Sequence, residues 1–200
     1  MNVPRALGRL MLLVPLLGVG ADAPVCAEEM ALPVATQVPL LLKILTYDRN
    51  LGAKAGSELA IGIVYDPSDR DSIKATTDLD SALFQNRGKT VKQLPIKYYT
   101  INYTNNVDLE RFVKQKGISV LYIAPGNARN LTNILQVSQD LNLTTLTGVP
   151  DYVRRGAAVG LAQGADRPQI LVNLQTTRNE GSEFEASFLS MRVVTILGPR

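Results

Sequence analysis

Two kinds of apolar pattern alternate along this chain. Residues 59–65 (LAIGIVY) and 118–123 (ISVLYI) are short, nearly continuous apolar runs, which are typical of strands buried on both faces of a sheet. Between them, apolar side chains recur every three or four positions, as Leu109, Phe112 and Val113 do, with polar residues around them. This spacing predicts amphipathic helices that cover the sheet.

The order of these patterns predicts a parallel sheet. A first amphipathic helix begins at about residue 40 and is expected to end near 50–52. Strands and helices then alternate, with strands at 59–65, 95–103, 118–123 and 144–147 and helices at 68–87, 107–116 and 128–141. Short connections between alternating strands and helices imply right-handed crossovers, and therefore parallel strands.

The last third of the chain departs from this alternation. Residues 157–163 and 169–173 predict two strands that the loop 164–168 joins into an antiparallel hairpin. Residues 176–194 predict a terminal helical region. The sequence therefore predicts an α/β fold, a single three-layer domain whose mostly parallel sheet ends in a C-terminal antiparallel hairpin.

The first residues have the pattern of a secretory signal peptide. Arg5 and Arg9 flank the start of an apolar run at 10–19, and small residues follow, with cleavage sites after Ala23 or Ala27. We expect residues 1–27 to be the signal peptide and residues 28–200 to be the exported α/β domain. The protein is accordingly expected in the periplasm, without stable membrane insertion after cleavage.

Two alternatives for this segment are less favoured. A retained membrane anchor needs about 20 apolar residues, whereas this run is shorter and contains Pro15. A lipid anchor on Cys26, the only cysteine, would require a small residue before it, and Val25 stands there. Cleavage after Ala27 would leave the mature chain without a thiol and without a disulfide.

Composition narrows the function classes. The chain has no histidine and one cysteine, which argues against the common nucleophile–base pairs and the usual zinc and copper sites. Its net charge of +3, without runs of Lys or Arg, gives no electrostatic case for nucleic-acid binding. We therefore expect a binding protein with no metal and no cofactor, and not an enzyme.

One glycine segment resembles a phosphate-binding loop. Gly88, Lys89 and Thr90 match the end of that motif, but the motif also needs a glycine at position 83, where this chain has Leu83. The segment follows a helix that is expected to begin at Ser68 as its N-cap. A glycine turn that ends this helix is the favoured interpretation of Gly88.

Topology suggests one candidate binding site. Ligands and partners of open parallel sheets favour the crevice beyond the carboxyl ends of the strands, where the strand order reverses. If strands 59–65 and 118–123 are neighbours there, Tyr65, Asp66, Asn127 and Arg129 face each other across it. The alternative is that Asp66 and Asn127 are ordinary capping residues and that Arg129 is an ordinary exposed residue.

Four segments together resemble the YfiR family of small periplasmic proteins. The segments are 59–65, Gly88-Lys-Thr-Val with Leu94-Pro-Ile, 120–125, and Ile170-Leu-Val-Asn-Leu with Arg178. The resemblance marks Gly88, Asn173 and Arg178 as family positions. We expect these three to be structural, with Asn173 satisfying backbone groups where the last helix begins.

The resemblance implies a function. YfiR restrains a membrane-bound diguanylate cyclase through the cyclase's periplasmic region, so the expected partner is the periplasmic region of an inner-membrane sensor, within cyclic-di-GMP signalling. Family members are associated with redox-active disulfides, which a cysteine-free mature chain would not form. Homodimerisation stays open.

The second hypothesis is a solute-binding protein of a transport system, because residues 61–68 are also similar to the first strand and turn of periplasmic ligand-binding folds. Those proteins close two lobes around a ligand, and this chain has the length of one. A helix with Phe184 and Phe188 is a second candidate partner surface, although a core role is the favoured one for these rings.

We predict that the exported protein begins at or near Glu28. Mass spectrometry of the protein from the periplasmic fraction should give a mature mass that lacks residues 1–27. A species that retains Met1, or that carries a lipid on Cys26, would contradict this prediction.

Overall fold

The computed structural model describes residues 28–198, so the predicted signal peptide lies outside the described residues. Within that range no helix combines the length and the apolar character needed to cross a membrane. One sheet of eight strands has the order β2-β3-β1-β4-β5-β6-β7-β8. The strands are β1 (Leu59–Tyr65), β2 (Thr90–Val91), β3 (Leu94–Asn102), β4 (Val120–Ile123), β5 (Thr144–Thr147), β6 (Val159–Ala162), β7 (Gln169–Asn173) and β8 (Val194–Leu197).

Helices connect most of these strands. Those in the described residues are α1 (Val34–Leu45), α2 (Leu51–Ala55), α3 (Arg70–Gln85), α4 (Asn106–Lys116), α5 (Leu131–Asp140), α6 (Pro150–Arg154), α7 (Leu174–Asn179) and α8 (Ala186–Leu189). Strands β3, β1, β4, β5 and β6 are mutually parallel, and β7 runs antiparallel to β6. The predicted α/β fold with a C-terminal antiparallel hairpin is confirmed.

Strand β1 separates two apolar layers. Leu59, Ile61 and Ile63 pack on the face covered by α1 and α3, while Ala60 and Val64 pack on the face covered by α4, α5 and α6. Because successive side chains of a strand point to opposite faces, a nearly continuous apolar run serves both layers. The predicted three-layer arrangement is confirmed.

The prediction of a terminal helical region at 176–194 is confirmed only in part. Two short helices, α7 and α8, are separated by a turn in which Gly181 has φ +69°. Strand β8 follows and pairs in parallel with β7. Val194, Thr195 and Ile196 are β-branched, and such residues favour strands over helices.

The first helix begins and ends earlier than predicted, at Val34 and Leu45, and a buried carboxylate forms a turn after it. Helix α1 ends at Leu45, and Asp48 is fully buried three residues later. Oδ1 of Asp48 accepts hydrogen bonds of 3.0 Å from the backbone N–H groups of Asn50 and Glu183. This carboxylate therefore ties the N-terminal helices to the C-terminal segment.

A second buried carboxyl group, that of Glu180, joins α7 to β5 and α5. Its Oε2 accepts from the backbone N–H of Thr145 at 2.8 Å, and its Oε1 lies 2.7 Å from Thr145 Oγ1 and 2.8 Å from Ser138 Oγ. Ser138 Oγ also lies 2.7 Å from the carbonyl oxygen of Leu135. A hydroxyl has one hydrogen, so Ser138 cannot donate to Glu180 and to Leu135 at the same time. When Glu180 is protonated and donates to Ser138, the hydroxyl hydrogen of Ser138 is left for the Leu135 carbonyl oxygen.

Burial raises the pKa of the Glu180 carboxyl to about 7, against the lowering effect of its hydrogen bonds to Thr145 and Ser138. Lys54 lies beside it, with Nζ donating to Thr144 Oγ1 at 2.7 Å, to the carbonyl oxygen of Glu180 at 2.8 Å and to Ser182 Oγ at 2.9 Å. Burial lowers the pKa of Lys54, and the charges of Asp48 and Glu180 oppose that effect. The protonation of Glu180 and Lys54 therefore affects how firmly the C-terminal segment is attached to the rest of the fold.

We predict that stability falls as pH rises from 5 to 8. The folded-state pKa of Glu180 is raised from an ordinary 4.5 to about 7, so the native state holds more protons than the unfolded state in this window and loses stability as pH rises. The shift corresponds to about 2 to 3 kcal/mol across the window. No histidine is present to obscure it.

Urea unfolding of wild type and Glu180→Gln at pH 5 and pH 8 measures this effect. The variant should lose most of the pH dependence, while Glu183→Gln, at an exposed side chain paired with Arg49, should keep the wild-type slope. Equal slopes in wild type and Glu180→Gln would contradict the titration of this carboxyl.

Candidate functional site

The strand order reverses beside β1. The connection from β1 leads to β3 on one side, and the chain then crosses to β4 on the other side. The predicted crevice requires β1 and β4 to be neighbours, and they are. Val64 lies opposite Ile123 near the carboxyl ends of the two strands. The loops that follow β1 and β4 therefore lie side by side, the arrangement that forms a crevice in open α/β sheets.

The loop after β1 is organised by Asp66 and Asp69. Oδ1 of Asp66 accepts from the backbone N–H of Ser68 at 2.8 Å and from its hydroxyl at 2.6 Å. Asp69 is the N-cap of α3 and accepts from the backbone N–H of Ser72 at 2.7 Å. The prediction of Ser68 as N-cap is therefore wrong, because Asp66 engages Ser68 in its own turn.

The loop after β4 is organised by Asn127, which is fully buried. Its Nδ2 donates to the carbonyl oxygens of Val64 at 3.2 Å and Ala124 at 2.9 Å. Among residues 28–198, Asn127 Oδ1 has no hydrogen-bond partner. Asn127 thus fastens the carboxyl ends of β1 and β4 to each other.

The other two predicted site residues lie apart from this contact. Tyr65 is half-buried and packs against the core on the α1 and α3 face. Arg129 is exposed to solvent. The structure therefore places Tyr65 at the end of β1 and the other three predicted residues on the two loops, without contacts among the four side chains.

Glu28 and Tyr152 also belong to this site, and sequence analysis missed both. Oε2 of Glu28 accepts from the backbone N–H of Gly126 at 2.5 Å and of Ala128 at 3.4 Å, and it also accepts from the Tyr152 hydroxyl. The Tyr152 oxygen in turn accepts from the backbone N–H of Asn127 at 2.9 Å. The site is thus suited to holding one negatively charged oxygen.

Tyr152 remains a hydrogen-bond donor at this site. Burial raises the pKa of the Tyr152 phenol, and its hydrogen bond to Glu28 raises it further. Arg155 supports the same loop, because its Nη2 donates to the carbonyl oxygen of Ala128 at 2.6 Å. Its guanidinium lies 6.0 Å from the Tyr152 ring centroid.

A crevice of about 540 Å³ opens next to Glu28. Its charged lining is mostly acidic, with Glu29, Asp69 and Asp71, and its one lysine, Lys74, pairs with Asp78 at 2.7 Å. The described residues contain no group of three or more His, Cys, Asp or Glu side chains placed to hold a metal ion.

The three family-like positions lie elsewhere. Gly88 has φ +86° in the turn after α3, where a side chain would be strained. Asn173 is the N-cap of α7, and its Oδ1 accepts from the backbone N–H of Thr176 at 3.1 Å. Arg178 is exposed in the last turn of α7.

The alternative partner surface is not exposed. Phe184 and Phe188 are buried, with ring centroids 5.2 Å apart, and Phe188 also stacks on Tyr47. Both rings belong to the core, which confirms the favoured interpretation.

A protein-family model described as YfiR/HmsC-like matches residues 40–192 of the chain. No curated protein matches the sequence significantly. The matched region runs from α1 to the residues just before β8, and so includes both loops of the crevice.

Three solved structures share the fold. A conserved domain protein from Vibrio cholerae has a TM-score of 0.57 and 15% identity, over 82% of this chain and 60% of that one. The ABC domain from Streptococcus pneumonia in complex with L-Trp has a TM-score of 0.55 and 10% identity, over the same 82% and 60%. A ligand-free, open substrate-binding protein with adhesive properties from Clostridium difficile has a TM-score of 0.50 and 14% identity, over 76% and 58%. The chain thus spans about three fifths of each, and the likeness is one of fold alone.

We predict that Asn127→Ala destabilises the fold by about 2 kcal/mol, because it leaves the buried carbonyl of Ala124 without its donor. Arg129→Ala, two residues away and exposed, should change stability by less than about 0.5 kcal/mol. Urea denaturation of both variants measures this. Equal midpoints for the two variants would show that Asn127 does not fasten the strands.

Proposed function

Because the chain belongs to the YfiR/HmsC-like family, we propose that it is an exported regulator that binds the periplasmic region of an inner-membrane sensor and restrains it. The match to the family model over residues 40–192 is the observation that carries this proposal. Members of the family are periplasmic regulators and not enzymes. A diguanylate cyclase is the proposed sensor, which would make this protein part of cyclic-di-GMP signalling.

The proposed contact surface is the rim of the crevice. Loops at the carboxyl ends of parallel strands are free to vary while the sheet stays fixed, so they commonly carry binding residues. Arg129 is the exposed cation on the loop that Asn127 holds in place. Arginine is enriched in protein interfaces, and a charged residue at a rim contributes to partner selection.

Deletion of the gene in its host should raise intracellular cyclic-di-GMP, because the cyclase loses its restraint. Tagged protein recovered from solubilised membranes should bring the cyclase with it. An unchanged level of cyclic-di-GMP would contradict the proposal that the partner is a diguanylate cyclase. Failure to recover any membrane protein would contradict the proposal of a membrane-sensor partner.

Arg129→Glu should weaken recovery of the partner by about tenfold, which is about 1.4 kcal/mol, and should raise cyclic-di-GMP as the deletion does. Arg87→Glu is the matched control, since it makes the same charge change at an exposed residue after the distal end of α3. Equal effects of the two variants would exclude the crevice rim as the contact surface.

A solute-binding role is the second candidate, and the fold shared with a substrate-binding protein favours it. A ligand that binds the native state raises its unfolding temperature. A thermal shift with a small molecule, together with failure to recover a membrane sensor, would support this role over the regulator.

A further inference from the structure

We propose that the backbone N–H groups of Gly126 and Ala128 and the hydroxyl of Tyr152 form a carboxylate-binding site, and that Glu28 is its built-in occupant. A free monocarboxylate would bind the same donors when Glu28 leaves. This inference concerns a small-molecule site and does not depend on the proposed sensor partner.

Three donors converge on one oxygen. Oε2 of Glu28 accepts from Gly126 N at 2.5 Å, from Ala128 N at 3.4 Å and from the Tyr152 hydroxyl. Backbone N–H groups that converge in a tight turn form a concave anion site, and here those of Gly126 and Ala128 converge on Glu28 from either side of Asn127. A phenol that is buried adds a donor whose strength water does not reduce.

The donors are held by contacts that do not involve Glu28. Gly126 has φ +83°, and a Cβ at this position would lie 2.7 Å from Asp69 Cγ, so the turn requires glycine. Asn127 fixes the next residue through its bonds to Val64 and Ala124. The backbone N–H of Asn127 also occupies a lone pair of the Tyr152 oxygen, which leaves the phenolic hydrogen for the site.

Glu28 reaches these donors through a short N-terminal segment laid across the strand ends. The backbone N–H of Ala31 donates to the carbonyl oxygen of Gly148 at 3.0 Å. Farther along, Gln37 Nε2 donates to the carbonyl oxygen of Leu32 at 2.5 Å, and Gln37 Oε1 accepts from Tyr122 at 2.9 Å. Because the segment is anchored at Ala31 and Leu32, Glu28 is present at its donors at an effective concentration on the order of millimolar.

The surroundings select the charge of the ligand. Glu29, Asp69 and Asp71 line the adjoining crevice, and Lys74 is already paired with Asp78. These carboxylates repel a ligand that carries further negative charge. The site therefore suits a monocarboxylate better than a phosphate or a dicarboxylate.

The test uses the protein expressed with its own leader, recovered from the periplasm and labelled with ¹⁵N. In Glu28→Ala, the amide signals of Gly126 and Ala128 should move from their wild-type positions. Sodium acetate should return them toward those positions, at a concentration about tenfold or more below that needed to affect wild type. Acetamide, which has nearly the same shape and no charge, should not do so.

Asp166→Ala is the control, because Asp166 is exposed, does not line the crevice and loses the same charge; in this variant the Gly126 and Ala128 signals should stay at the wild-type positions. Adding Tyr152→Phe to Glu28→Ala should weaken the acetate response, and the spectrum itself shows whether that variant is folded. If it is not, the comparison of acetate with acetamide in Glu28→Ala decides alone.

Three results would overturn the proposal. They are no movement of the two amides with acetate in Glu28→Ala, equal responses to acetate and acetamide, and a mature chain that lacks Glu28. None of them bears on recovery of the membrane sensor, so a failure here is distinguishable from a failure of the regulator proposal.

Discussion

Strand β1 pairs through its backbone with β3 on one edge and β4 on the other, and its side chains are buried on both faces. A strand in this position must be apolar along its whole length, because no side is left for water. Because β1 is the first strand of the described residues, both of its neighbours come later in the sequence and lie on opposite sides of it, so the winding direction reverses at this strand. The crevice, the two loops and the contacts of Asn127 all follow from that reversal.

The parts of the fold that were predicted well from sequence are those where burial on both faces requires a continuous run of apolar residues. The runs 59–65 and 118–123 became central strands because the apolar character of each serves two layers. The C-terminal segment was predicted only in part, because its conformation is also set by distant groups. Asp48 accepts from the backbone N–H of Glu183, and Glu180 accepts from that of Thr145 in β5. The helical spacing of residues 176–194 gives no sign of these contacts.

The candidate site was predictable to the level of its loops and no further. Tyr65, Asp66, Asn127 and Arg129 lie at or just after the ends of the right strands, because topology alone fixes which strand ends meet. Glu28 and Tyr152 are 124 residues apart in sequence and meet through folding. A tyrosine in one helical turn and a glutamate after the predicted signal peptide have no spacing signal that relates them.

Strand β2 is two residues long and covers only the start of β3, so from Ile96 to Asn102 the outer edge of the sheet has no paired strand among the described residues. An open edge of this length is a template on which another chain can add a strand. Lys97, whose ammonium lies 2.7 Å from the Glu58 carboxylate, places a charge along this edge. Since no further strand pairs with this edge among the described residues, the charge of Lys97 is one feature that opposes strand addition between molecules at high protein concentration.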